Sequence, residues 1–145
     1  MYFKITLEEY NNYWVYVLTL EKHTPTNIKQ ANQYADEHLS AEDKHGFRHY
    51  VLFKDEKIVQ IQFHQALSIL PYLNPDDPTS LRMPEMKAIL FGNNRIPTLK
   101  ITFKENYVHH GTAYALCPNV FLMFENGELA VLFITDVYSM IADPG

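Results

Sequence analysis

The last third of the chain contains two apolar runs, Val120–Phe124 and Leu129–Ile134, held apart by Glu125, Asn126, Gly127 and Glu128. This arrangement constrains the segment to a β-hairpin, because a tight two-residue turn needs positive φ at both central positions and Asn-Gly supplies them. Both faces of both runs are apolar, which predicts strands at a covered, central position in a sheet. The chain around the hairpin must therefore provide other strands and something to cover them.

Several segments fit that demand. Phe3, Ile5 and Leu7 alternate with Lys4, Thr6 and Glu8 over Tyr2–Glu8, and the run Tyr13–Leu20 is rich in β-branched and aromatic residues. With Asn11 and Asn12 between them, the two read as a second hairpin. Phe47–Lys54 and Lys57–His64 flank Asp55 and Glu56 and read as a third. In its second strand Val59, Ile61 and Phe63 form an apolar face, with Ile58, Gln60, Gln62 and His64 on the other. Thr98–Glu105 and Thr112–Leu116 complete the strands.

The helical segments are fewer. Thr24 can cap a helix that Pro25 begins, and Ile28, Ala31, Ala35 and Leu39 fall on one helical face, predicting a helix from about 25 to 39. Gln65–Leu70 and Pro84–Phe91 suit short helices, the latter stopping at Gly92, with Asn93, Asn94 and Pro97 closing the excursion. Prolines 71, 75, 78 and 84 make the intervening region irregular and give the longest loop.

The fold class predicted is α+β: a largely antiparallel sheet of about six or seven strands, one longer helix and one or two short ones. A half-closed or closed β-barrel is the alternative. At 145 residues the chain is read as a single domain, with no internal repeat.

Charge is unevenly placed. Residues 1–104 hold twelve acids and twelve bases, and beyond Lys104 there is no lysine or arginine. Glu105, Glu125, Glu128, Asp136 and Asp143 thus carry the whole formal charge of −5. A net negative chain disfavours nucleic acid and anionic membrane as partners. The amino terminus lacks the basic and long apolar regions of a secretion signal, the apolar runs are too short to span a bilayer as helices, and the only cysteine, Cys117, has no internal partner. A soluble, cytoplasmic protein is expected.

Candidate catalytic groups are weakly supported. His45 and His49 are four apart, but Gly46 and the extended run after it leave them as surface residues at a loop and strand edge rather than a metal pair. His109 and His110 are adjacent, so at most one could face a given pocket, and His64 on a polar strand face reads as a surface hydrogen-bonding residue. Cys117 would need a neighbouring base to become a nucleophile. There is no Walker loop, dinucleotide fingerprint, His-Glu-x-x-His or Cys-x-x-Cys, and no metal or cofactor is called for.

Two functional readings follow. The first is a protein-binding module that neutralises or escorts a basic protein partner, as an immunity protein does for a toxin, and is not an enzyme. Electrostatic complementarity speeds encounter and tyrosine anchors hold the complex. Its contact residues would be Glu105, Tyr107, Glu125, Glu128, Asp136 and Tyr138, with Asp76 and Asp77 on the proline-rich loop as a second region. Ten tyrosines in all, Tyr10, Tyr13, Tyr16, Tyr50, Tyr72 and Tyr114 among them, favour recognition over catalysis. The alternative is a small enzyme or ligand-binding domain with a pocket lined by His64, His109 and His110, joined by Cys117 or Glu105. Self-association through an edge strand or through Val137–Ile141 is a third reading.

Overall fold

The computed structural model describes residues 1–91, 96–108 and 111–142, with 86–91 and 96 described by backbone alone. Asn93, Asn94, His109 and His110 lie outside the described residues.

Each of the three hairpins turns through two residues at positive φ, a conformation that Asn, Asp and Gly accept and that Glu56 adopts under strain. Asn11 and Asn12 sit at 52° and 69°, Asp55 and Glu56 at 51° and 68°, and Asn126 and Gly127 at 52° and 82°. The first turn joins β1 (Lys4–Tyr10) to β2 (Tyr13–Thr19), the second β4 (Arg48–Lys54) to β5 (Lys57–Phe63), and the third β9 (Val120–Glu125) to β10 (Glu128–Ile134). The remaining strands are β3 (Glu37–Glu42), β6 (Glu85–Phe91), β7 (Ile96–Thr102) and β8 (Tyr114–Cys117). Three short helices, α1 (Ile28–Tyr34), α2 (Ala66–Ile69) and α3 (Val137–Met140), complete the described elements.

All pairings are antiparallel, and they make two five-stranded sheets, ordered β1-β2-β5-β4-β3 and β6-β7-β10-β9-β8. One apolar core lies between them. Tyr16, Leu18, Val51, Ile61 and Phe63 from the first sheet pack in the same cluster as Leu99, Ile101, Leu122 and Leu132 from the second. Edge strand β3 meets edge strand β8, so these two edges face each other.

The two sheets repeat one plan. Phe53 pairs with Ile58 and Leu52 with Gln60, leaving Val59 as a bulge; 71 residues on, Phe124 pairs with Leu129 and Met123 with Val131, leaving Ala130 in the same place. Gln65 before α2 and Asp136 before α3 both adopt left-handed backbone, at φ 60° and 52°. Helix α2 contacts β2 of its own sheet and β10 of the other; α3 contacts β7 of its own and β5 of the other. The second five strands thus repeat the topology of the first five, a likeness of fold that the sequence does not display. Over 53–70 against 124–141 only Phe53/Phe124 and Ser68/Ser139 are identical, so what persists is apolar pattern and backbone geometry.

The α+β class holds, with further corrections. There are two open sheets in place of one sheet of six or seven strands, and no closed barrel among the described residues. The expected helix over 25–39 is only the seven residues of α1. Ala35 turns extended (φ −67°, ψ 143°), and Glu37–Glu42 pair with Arg48–Phe53, giving β4 a hydrogen-bonding partner along its other side. Pro84–Phe91 forms β6 and not a helix, because Glu85–Phe91 satisfy their backbone groups against Ile96–Thr102. Val137–Met140 is helical, so it does not supply a pairing strand. Among the described residues, no helix is long and apolar enough to cross a membrane.

Candidate functional site

The first sheet carries a helix on its outer face and, with it, a cleft. Asn27 caps α1 by accepting from the Gln30 amide at 3.0 Å, while the Glu8 carboxylate accepts from the Ile28 amide at 2.8 Å and from Asn27 at 3.2 Å, tying the helix start to β1. Ile28 then packs on Val15 and Val17, and Ala31 on Leu52 and Val59. The bulge at Val59 turns Val59 and Gln60 to the helix side together, so Gln60, Gln62 and His64 face α1 while Ile58, Ile61 and Phe63 enter the inter-sheet core.

These polar side chains satisfy one another. The Tyr13 hydroxyl lies 2.8 Å from His64 Nδ1, and His64 Nε2 lies 3.4 Å from Gln62 Oε1. Gln62 Nε2 donates to Gln60 Oε1 (2.8 Å) and Asn32 Oδ1 (3.1 Å), and Gln60 Nε2 donates to Thr19 Oγ1 and the Pro25 carbonyl. Since Gln62 Oε1 can only accept, His64 carries its proton on Nε2 and Nδ1 accepts from Tyr13. Burial, aided by His49, pulls the His64 pKa down to about 4, so its ring is neutral at neutral pH.

Above His64 the cleft opens to a volume of about 410 Å³, within the range of small-ligand and side-chain pockets. Three tyrosines surround the imidazole, with ring centroids at 4.9 Å for Tyr50, 5.4 Å for Tyr13 and 6.3 Å for Tyr10. Asn11, Asn32, Asp36, Glu37, His38 and Gln62 form the rest of the polar wall, and among the described residues no lysine or arginine lines it. Burial together with Tyr50 and Tyr10 raises the Tyr13 pKa, keeping that hydroxyl protonated.

His49, expected at the surface, is fully buried, and His64 is 7% exposed. His49 Nε2 lies 2.7 Å from Asp43 Oδ2 and its Nδ1 accepts from the His64 amide at 3.0 Å, so both ring nitrogens are engaged. Asp43 also accepts from the amides of His45 and Phe47. Burial opposes ionisation of Asp43, but these hydrogen bonds outweigh it and hold its pKa below the usual carboxylate value. The pair closes the β3–β4 connection and offers no lone pair to a substrate.

The carboxyl-terminal acids divide between two ends of the second sheet. Lys104 Nζ lies 2.9 Å from Glu128 and 3.3 Å from Glu125, and Glu105, next in the chain, lies 3.6 Å from Arg82. Tyr107 packs nearby on Met123, Ala130, Val131 and Phe133. Lys44 lies over the Phe124 ring at 5.9 Å, adding a second ammonium at this end. Asp136 and the exposed Tyr138 sit beyond the far end of β10, about 20 Å away along a seven-residue strand. Asp76 and Asp77 belong to a local turn, Asp77 accepting from Thr79 and the Asp76 amide donating to Asn74.

Of the alternative pocket's residues, the described ones, His64, Cys117 and Glu105, do not converge. Cys117 is in the inter-sheet core, where burial raises its thiol pKa to about 11, and Glu105 lines a separate hollow with Arg82 and Lys100. Among the described residues, no group of three or more His, Cys, Asp or Glu could hold a metal ion. Tyr16 and Tyr72 belong to the core, while Tyr10, Tyr13 and Tyr50 form the cleft. Sequence reasoning missed Asp36, Tyr50 and Gln62 as one site. The available signal was the glutamine, glutamine, histidine series on one face of an otherwise apolar strand.

No family model, curated protein sequence or solved structure matches this chain.

Proposed function

We propose that this protein is a binding module that captures and neutralises a basic protein partner, in the manner of a toxin-immunity inhibitor, and that it is not an enzyme. The observation that carries this reading is the uneven charge: beyond Lys104 the sequence has five acids and no lysine or arginine. Glu125 and Glu128 share Lys104 at one end of the second sheet, and Glu105 pairs with Arg82. Tyr107 supplies aromatic area beside them, and the acids of this carboxyl-terminal stretch outnumber its bases. Such an excess of one sign steers an oppositely charged protein to the surface and discriminates against acidic ones. Asp136 and Tyr138 would reach only a partner wide enough to span β10.

The product of the neighbouring gene is the first partner to test. Isothermal titration of that isolated protein should show affinity that falls as salt rises, and a loss of about tenfold or more in E125K/E128K with its melting temperature little changed. Binding unaffected by both salt and charge reversal would refute the reading.

The cleft favours a second reading, a small-ligand site, because it pairs a neutral buried imidazole with a tyrosine hydroxyl. Under that reading H64Q abolishes ligand binding or turnover, whereas capture of a basic protein is indifferent to the imidazole's basicity.

A further inference from the structure

We propose that the cleft between α1 and the first sheet is an aromatic cage for a cationic side chain, a lysine or arginine presented by the basic partner. This rests on the reading above in one respect, that the partner is a basic protein.

Tyr10, Tyr13 and Tyr50 surround one small volume, and the Tyr10 ring stands at 84° to that of Tyr13. Rings set at an angle present both faces and edges inward, and a tyrosine face attracts a cation through the negative side of its quadrupole. Asp36 and Glu37 stand in the wall on the α1–β3 side, with Asn32 from the last turns of the helix. Both are exposed and Asp36 also accepts from the Asp55 amide at 3.0 Å, so their negative charge acts on an ammonium or guanidinium from the rim of the cleft.

The floor fits the same occupant. His64 is neutral and its Nδ1 lone pair is held by Tyr13, so it neither repels a cation nor competes as a base. An anionic ligand finds no lysine or arginine among the described residues of the lining. A neutral apolar ligand would meet the rings but make no use of the negative charge of Asp36 and Glu37. Cationic chemistry is the one class that uses the aromatic rings and the carboxylates together.

The second sheet supports this assignment by contrast. It has the same strands and bulge but no helix between β7 and β8 among the described residues, and its outer face carries Met123, Val131 and Phe133 where the first sheet carries Leu52, Gln60 and Gln62. The polar, tyrosine-walled cleft was therefore not required by the fold.

The test uses the whole protein and three uncharged-backbone probes: the N-acetyl methylamides of lysine, arginine and norleucine, the last an apolar near-isostere of lysine. NMR titration follows the ring signals of Tyr10, Tyr13 and Tyr50 and the side-chain amide of Gln62. The lysine or arginine probe should saturate these signals in the millimolar range, and norleucine should bind at least about fivefold more weakly. D36N/E37Q should weaken the cationic probe about two- to fivefold and leave norleucine unchanged. Asn at 36 can still accept from the Asp55 amide, so the fold is retained. Equal binding of all three probes, or no shift at the cleft with either cation, overturns the proposal. Partner capture that fails while the cationic probes bind the cage refutes the basic-partner reading alone.

Discussion

At the scale of single residues, the consequential feature is that ionisable groups are buried in fixed protonation states. The folded pKa of His64 lies at about 4, below the roughly 6.5 of an unfolded chain. Between these values the unfolded state binds the proton and the folded state does not, so His64 contributes fully above about pH 6.5 and its contribution is lost as pH falls toward 4. Urea denaturation over this interval should show a loss of about 2 kcal/mol, a value reduced for partial solvent access, and H64Q should flatten that slope. Asp43 acts lower in pH. Its depressed pKa stabilises the fold above the ordinary carboxylate range and ceases to do so in acid, so D43N should lower stability at neutral pH and narrow its difference from wild type below about pH 4. Cys117, with its thiol near pKa 11 and its side chain in the core, should resist Ellman's reagent at pH 8 in the native protein and react fully in denaturant.

At the scale of elements, turns decided the architecture and were the most legible part of the sequence. Asn-Gly, Asn-Asn and Asp-Glu between apolar runs each located a hairpin; in the first two positive φ is a local demand that the residue types meet, and in the third only Asp55 does. Helices were less legible for the opposite reason. Ala35 and Leu39 continue the helical period of Ile28 and Ala31, but β4 needed a partner along its outer side, and Glu37–Glu42 filled that place. Periodicity cannot see a vacant sheet edge. The Pro84 and Glu85 start at β6 misled in the same way. The acids of the predicted contact surface were visible, and the predicted strand Leu129–Ile134 already separates Glu128 from Asp136. Their pairing with Lys104 and Arg82 was not visible, since it depends on how β7 and the loop before β6 lie beside the β9–β10 turn. Among the turns, Glu56 holds φ 68° without being glycine and is exposed. E56G should stabilise the protein by up to about 1 kcal/mol in chemical denaturation, the relief of left-handed strain exceeding the added entropy of the unfolded chain. G127A should do the reverse, since Gly127 has φ 82° and an added Cβ would lie 3.3 Å from His45 Nε2.

At the scale of the whole molecule, the packing of the two sheets on one core makes the halves interdependent. Each sheet has one apolar face that only the other sheet covers, and each of α2 and α3 reaches across to a strand of the opposite sheet. Lys57 adds a polar link, donating to the Ser139 carbonyl at 2.6 Å. A half-chain would expose the residues that now form the shared core, so neither sheet has an independent reason to stay folded. Ile61 and Leu132 occupy equivalent positions, 71 residues apart, and both are fully buried in that core. I61A and L132A should each cost about 2–5 kcal/mol, the range for truncating a large core aliphatic. The decisive measurement is where the loss is felt. Trp14, the only tryptophan, packs on the core from the first sheet, while Leu132 belongs to the second. In L132A the Trp14 fluorescence midpoint should move down together with the circular dichroism midpoint, as a two-state chain requires. If Trp14 kept the wild-type midpoint while the dichroism signal fell early, the sheets would be uncoupled units. A partner seated on one sheet could not then stabilise the other, and the binding surface and the cleft would have to be treated as properties of separate bodies.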